Sequence, residues 1–126
     1  MDPRVIYKGP LSRKELAQCM SEAEVFVFPS LAEGSARVIF EALAAGCYII
    51  TTPNSGSIVE HGVHGALVPP GDADALAEAI RQALLQREKA IKIGRHNAVM
   101  VRTHYRQEQY GNELNKLYER LLKHYR

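Results

Sequence analysis

One arrangement of residues in this 126-residue chain is suited to chemistry: Glu33 and Glu41, two carboxylates with seven residues between them, the first followed by Gly34, Ser35, Ala36 and Arg37. Backbone amides at a helix start hold phosphate or hydroxyl oxygens, and a glycine lets the chain come close to them. A carboxylate accepts hydrogen bonds from a pair of hydroxyls, as on a ribose. Glu33 precedes the predicted helix and Glu41 lies about two turns into it. The two therefore reach different parts of one extended ligand rather than forming a single acid/base pair. The competing structural reading makes Glu33 a first-turn acid complementing the helix dipole and Glu41 the partner of a surface lysine. His61, His64, His96, His104 and His124 show no ligand spacing. Cys19 and Cys47 fall short of the roughly four ligands of a zinc site. No metal site is expected, and both cysteines read as small apolar residues.

The elements that must position these residues follow from pattern and punctuation. Val5-Ile6-Tyr7 reads as a short strand ended by Gly9-Pro10. Ser12 is an N-cap with Glu15 completing a capping box, opening a helix with Leu16, Ala17 and Met20 at helical spacing, to about residue 21. Residues 24–28 read as a buried parallel strand stopped by Pro29. A helix over about 35–45 follows, with Gly46 as its C′ residue. Residues 48–52 form the next strand, closed by Pro53-Asn54-Ser55-Gly56. A short helical turn starts at Ser57 or Ile58 and ends near His61-Gly62, before a strand over 66–68. Asp72 caps a helix to about Gln86 whose apolar face is Leu76, Ala79, Ile80, Ala83 and Leu84. Helices over about 88–103 and 107–125 close the chain. Strands alternating with helices through short loops imply an α/β fold, a Rossmann-like parallel sheet with flanking helices. Ligands of such sheets bind at the carboxyl ends of the strands, where Glu33 and Gly34 fall.

Composition sets the frame. The length suits a single domain over 1–126, and 46% hydrophobic with 24% charged residues is ordinary for a globular protein. No apolar run approaches the ~20 residues that span a bilayer, and the start lacks an apolar leader, so the cytoplasm is the expected compartment. The net charge of +2 is uneven, about −5 over residues 1–80 and +7 over 81–126. The basic residues are dispersed, which fits solvated helix faces. No nucleic acid is expected as a partner, and peripheral contact with an anionic membrane stays open as the other reading of the basic end.

The sequence from Pro29-Ser30 through Glu33-Gly34 and Glu41 to Ala44-Ala45-Gly46, with Gly65-Ala66-Leu67-Val68-Pro69-Pro70-Gly71-Asp72 downstream, resembles the donor-binding part of retaining GT-B glycosyltransferases of group 1 (family 4). The resemblance covers about residues 4–125 and implies the later portion of a GT-B C-terminal domain. It implies transfer of a hexose from a nucleoside diphosphate sugar to an acceptor hydroxyl with retention, requiring no cofactor and no obligatory metal. By the same resemblance, Glu33 is the catalytic residue beside the donor sugar and Glu41 binds the ribose. Gly34 and Ser35 match the amide-donating loop, Ala36 and Arg37 follow as further donor-binding residues, Ser30 belongs to the proline–serine step, and Lys8 and Gly9 lie near the base.

Ser35 and Ala36 stand where such enzymes usually have an aromatic residue and a glycine. Arg37, where an apolar residue is common, either replaces a phosphate contact or marks a lost site. The acceptor-binding domain, and the segment supplying an Arg and a Lys to the diphosphate, have no counterpart in these residues. The second reading is therefore a non-catalytic binding or assembly module, and a third is a sugar-nucleotide epimerase. A strand at Val5–Tyr7 without its sheet neighbours predicts a homo-oligomer through the exposed edge.

Overall fold

The computed structural model describes residues 2–29, 36–53 and 58–104. In chain order these hold α1 (Arg13–Glu22), β1 (Val25–Phe28), α2 (Ala36–Ala44), β2 (Tyr48–Thr51), β3 (Gly65–Leu67), α3 (Ala73–Leu85) and α4 (Arg87–His104). The strands form one parallel sheet in the order β1-β2-β3, Val25 facing Tyr48 and Ile49 facing Gly65. The crossover from β1 to β2 carries the chain back through α2, in the Rossmann-like α/β arrangement that the alternation implies.

Local chemistry accounts for the element ends. Ser12 Oγ accepts from the Glu15 amide at 3.1 Å while Glu15 Oε1 accepts from the Ser12 amide at 3.1 Å, closing the capping box of α1. Asp72 Oδ1 accepts from the Ala75 amide at 2.9 Å and starts α3. Gly46 ends α2 at φ +91°, a left-handed conformation that a side chain resists.

Side chains alternate across the strands and feed two cores. On one face Ile49 joins Met20 of α1, Ile39, Phe40 and Leu43 of α2, and Val101 of α4, with Phe26 and Phe28 packed against them. On the other, Ile50, Ala66 and Val68 meet Ala83 of α3, with Val25, Val27, Leu76 and Ile80 alongside. Cys47 is fully buried in the first core, as its apolar reading implies. Its thiol donates to Met20 O at 3.3 Å, and burial pushes its pKa up to about 12.

α4 lays a stripe of Ala90, Gly94, Asn97 and Val101 against the molecule. Gly94 backs directly onto the Gly46–Cys47 backbone, leaving no room for a β-carbon. One turn on, the buried Asn97 amide donates to Cys47 O at 2.8 Å and His64 O at 2.9 Å. At the opposite end of the helix, Arg87 grips Glu24 through two nitrogens at 2.8 and 2.6 Å.

Three expectations are corrected. Val5-Ile6-Tyr7 is not a strand: all three residues are exposed and lie in irregular chain. Asp2 O takes the Val5 amide at 2.9 Å in a turn, and a three-residue strand with no neighbour cannot satisfy its backbone. The edge strands among the described residues are β1 and β3 instead, each of which pairs with no strand but β2. Of the helical turn expected before β3, residues 58–60 are irregular, and a tight turn closes over 60–64, with the Val63 and His64 amides both donating to Glu60 O at 3.1 Å. Leu84 is exposed, because Ala83 occupies the helix position that meets the sheet. Ser35, Ser57 and the helix expected over 107–125 lie outside the described residues.

Candidate functional site

Parallel topology brings the first turns of α1 and α2 to the carboxyl edge of the sheet, since each helix runs back against the strand direction. Thr51 Oγ1, fully buried, donates to Phe28 O at 2.7 Å and ties the ends of β1 and β2 together. Behind that edge stands Glu41, its side chain 15% exposed. Arg13, the first residue of α1, donates from Nη2 to Glu41 Oε1 at 3.3 Å. Arg37, four residues before Glu41 on α2, brings Nε to 3.6 Å from the same oxygen. One shielded carboxylate thus holds two guanidiniums from two helices, both open to solvent.

Of the residues singled out from the sequence, Glu41 and Arg37 are brought together here. Ala36 is the first residue of α2, while Ser30, Glu33, Gly34 and Ser35 lie outside the described residues. Gly9 takes φ +68°, as a turn glycine does. Lys8 joins Leu11, Glu15, Gln18, Cys19 and Glu22 in lining a shallow groove beside α1. No hydrogen bond or ion pair among the described residues joins Lys8 or Gly9 to Glu41. The sequence reading missed Arg13. Its signal is a cation at the first position of a helix, where the macrodipole favours an anion. α2 shares this trait: its first turn holds Arg37 and no acid, whereas α1, α3 and α4 carry Glu15, Asp74 and Glu88.

Two of the histidines serve backbone chemistry. His64, buried, accepts the Glu60 amide on Nδ1 at 2.9 Å, and His61 accepts the Leu67 amide on Nδ1 at 3.0 Å. Burial lowers the pKa of His64 below the ordinary histidine value, and His96 lowers it further against the opposing pull of Glu60. Among the described residues no group of three or more His, Cys, Asp or Glu is placed to hold a metal ion.

A Rossmann-like sheet with an acidic residue held at its carboxyl edge defines a class, and the comparisons narrow it. Residues 1–86 match the profile described as glycosyl transferases group 1, and the chain belongs to that family. It is 29% identical over 117 residues to the amylovoran biosynthesis glycosyltransferase AmsK of Erwinia amylovora, covering 86% of this chain and 29% of that protein. It is 34% identical over 101 residues to the capsular polysaccharide biosynthesis glycosyltransferase CapM of Staphylococcus aureus, covering 79% and 27%. Over 99 residues it is 28% identical to the GDP-mannose-dependent alpha-(1-6)-phosphatidylinositol monomannoside mannosyltransferase of Mycobacterium tuberculosis, covering 71% and 26%. The chain spans under a third of the length of each of these relatives. No solved structure matches it.

Proposed function

We propose that this chain carries the nucleotide-sugar half of a retaining GT-B hexosyltransferase site, working in the cytoplasm. The reaction moves a hexose from a nucleoside diphosphate sugar to an acceptor hydroxyl. The observation that supports it best is Glu41, a shielded carboxylate at the carboxyl edge of a parallel sheet, where such folds take nucleotides. In this reading Glu41 accepts the two ribose hydroxyls and Glu33 stands beside the anomeric carbon, stabilising its developing positive charge. Gly34 and Ser35 offer amides to donor oxygens, with Ser30 in the loop before them, and Lys8 and Gly9 border the base. No metal ion is assigned a part. The name of the mycobacterial relative, which specifies a GDP-mannose donor, supports a nucleoside diphosphate sugar as the class of ligand.

The test is calorimetric titration of the chain with UDP, GDP and ADP, alongside Glu41→Ala and Glu41→Gln. One nucleotide is expected to bind, and both substitutions to weaken it about ten-fold or more, the usual cost of losing hydrogen bonds to a charged group. Binding unaffected by both substitutions, or no binding at millimolar nucleotide, refutes the reading.

A further inference from the structure

We propose that His61 and His64 form a proton-sensitive clasp on the turn that enters β3. Each ring holds a backbone amide only while it is neutral, and acid releases both amides, freeing the outer side of β3 from its entrance to the carboxyl edge. The inference does not depend on the nucleotide reading.

The bonds themselves carry it. The Glu60 amide donates to His64 Nδ1 at 2.9 Å, and the Leu67 amide donates to His61 Nδ1 at 3.0 Å. A ring nitrogen that accepts carries no proton, so both imidazoles are neutral with hydrogen on Nε2. A proton added to Nδ1 converts that acceptor into a donor, which then faces an N–H with an N–H. The bond is lost outright, and the ring must turn away.

The position of the two amides decides what this releases. Val68 donates its amide to Thr51 O at 2.9 Å, across the β2 side of β3. Successive amides of a strand point to opposite sides, so that of Leu67 faces outward, where no strand stands among the described residues. His61 supplies the partner on that side. Leu67 is also in register with Thr51, whose hydroxyl ties β2 to β1 at the carboxyl edge. At the other end of the clasp, the His64 amide donates to Glu60 O while its ring accepts from the Glu60 amide, a reciprocal closure of the turn.

The backbone beneath is anchored by groups that do not titrate. His64 O accepts from the Ile49 amide at 3.2 Å and from the Asn97 side chain at 2.9 Å. Release of the rings therefore opens the turn and leaves the start of β3 in place. His61 is exposed and turns out to water freely, whereas His64 is buried. Burial opposes the proton on His64 most, Glu60 of its own turn favours it, and His96 of α4 opposes it. The Cys47 thiol before β2, whose carbonyl shares the Asn97 amide, stays neutral. His61 forms no ion pair among the described residues.

The experiment is native-state hydrogen exchange of the full chain, resolved by residue with NMR, from about pH 7.5 to 5. Protection factors are corrected for the intrinsic pH dependence of exchange. A histidine free in water takes its proton near pH 6.5, so at pH 5 the open form gains weight by up to about thirty-fold. Protection of the Glu60 and Leu67 amides is expected to fall about ten-fold or more, while Leu43 and Ile50 in the two cores hold theirs. Asparagine places an oxygen that does not titrate near the position of Nδ1. His61→Asn is therefore expected to flatten the Leu67 profile, and His64→Asn that of Glu60. Nitrogen NMR of the imidazoles reads the tautomers in wild type, whatever the folding of either variant.

A flat profile at either amide in wild type overturns the clasp. So does hydrogen on Nδ1 of either ring at neutral pH. Loss of protection at Leu43 and Ile50 in step with Glu60 and Leu67 overturns it as well, since the whole domain then opens. Profiles unchanged by both asparagine substitutions assign the pH dependence to another group and overturn it too.

Discussion

Replacing Gly94 by alanine sets two physical effects against each other. Helix propensity alone favours the change, by up to about 1 kcal/mol in a helix interior. Packing opposes it. A β-carbon on Gly94 would fall well inside contact distance of the Gly46 carbonyl oxygen, and within 3.1 Å of Gly46 C and 3.2 Å of Cys47 C. All three are backbone atoms at the end of α2, which no rotamer change can move aside. Restoring an ordinary separation of about 3.5 Å or more requires α4 to retreat by about 1 Å. Overpacking of this kind costs about 1–3 kcal/mol. The retreat also stretches the Asn97 hydrogen bonds to Cys47 O and His64 O, one turn along, each worth about 1 kcal/mol.

The net expectation is a loss of about 2–4 kcal/mol, a large share of the 5–15 kcal/mol typical of a domain. At several degrees per kcal/mol, the melting temperature falls by about 10 °C or more. The assay is denaturation followed by circular dichroism, by urea and by heat. Arg95→Ala, at the neighbouring exposed position of the same helix, serves as the control and is expected to stay within about 0.5 kcal/mol of wild type. A Gly94→Ala protein as stable as wild type, or more so, would refute the close approach of the two backbones.

Other expectations concern titration, thiols and a cap. His64 has a lowered pKa in the folded state, so the unfolded chain takes up the proton first as pH falls. Its contribution to stability is complete above the ordinary histidine value of about 6.5 and is lost as pH drops below it. Urea midpoints measured from about pH 7.5 to 5 should fall more steeply for wild type than for His64→Asn, and parallel curves would exclude this role. Cys47, buried and with its pKa pushed up to about 12, should resist a thiol reagent in the native protein while the half-buried Cys19 reacts. Mass spectrometry locating equal early labelling on both would contradict that burial. Ser12→Ala opens the capping box of α1 and should cost about 1 kcal/mol by urea denaturation, an undiminished midpoint arguing against the cap.

Features written in neighbouring residues were legible in the sequence. Ser12 with Glu15, Asp72 before Ala75, and Gly46 after α2 each act over a few positions, and the structure has all three. The alternation of strands and helices sufficed for the parallel sheet. What failed depended on partners that no sequence pattern reports. Val5-Ile6-Tyr7 has strand composition, but pairing needs a neighbour that composition cannot report. The turn before β3 is set by His64 capturing the Glu60 amide, a side-chain event with no periodic signature. Arg13 looked like any surface cation, because the carboxylate that orients it lies 28 positions away.

The Asn97 side chain has a consequence for how this chain is made. Its single amide nitrogen joins the entrance of β2 to the residue before β3, while its Oδ1 has no hydrogen-bond partner among the described residues. Two carbonyls 17 residues apart therefore gain this buried donor only when α4 docks. During synthesis at roughly 5–20 residues per second, the three described strands have all emerged once Leu67 has, yet this latch arrives only with Asn97. The last link between the start of β2 and the start of β3 thus waits for the docking of α4, a helix that follows both strands in the chain.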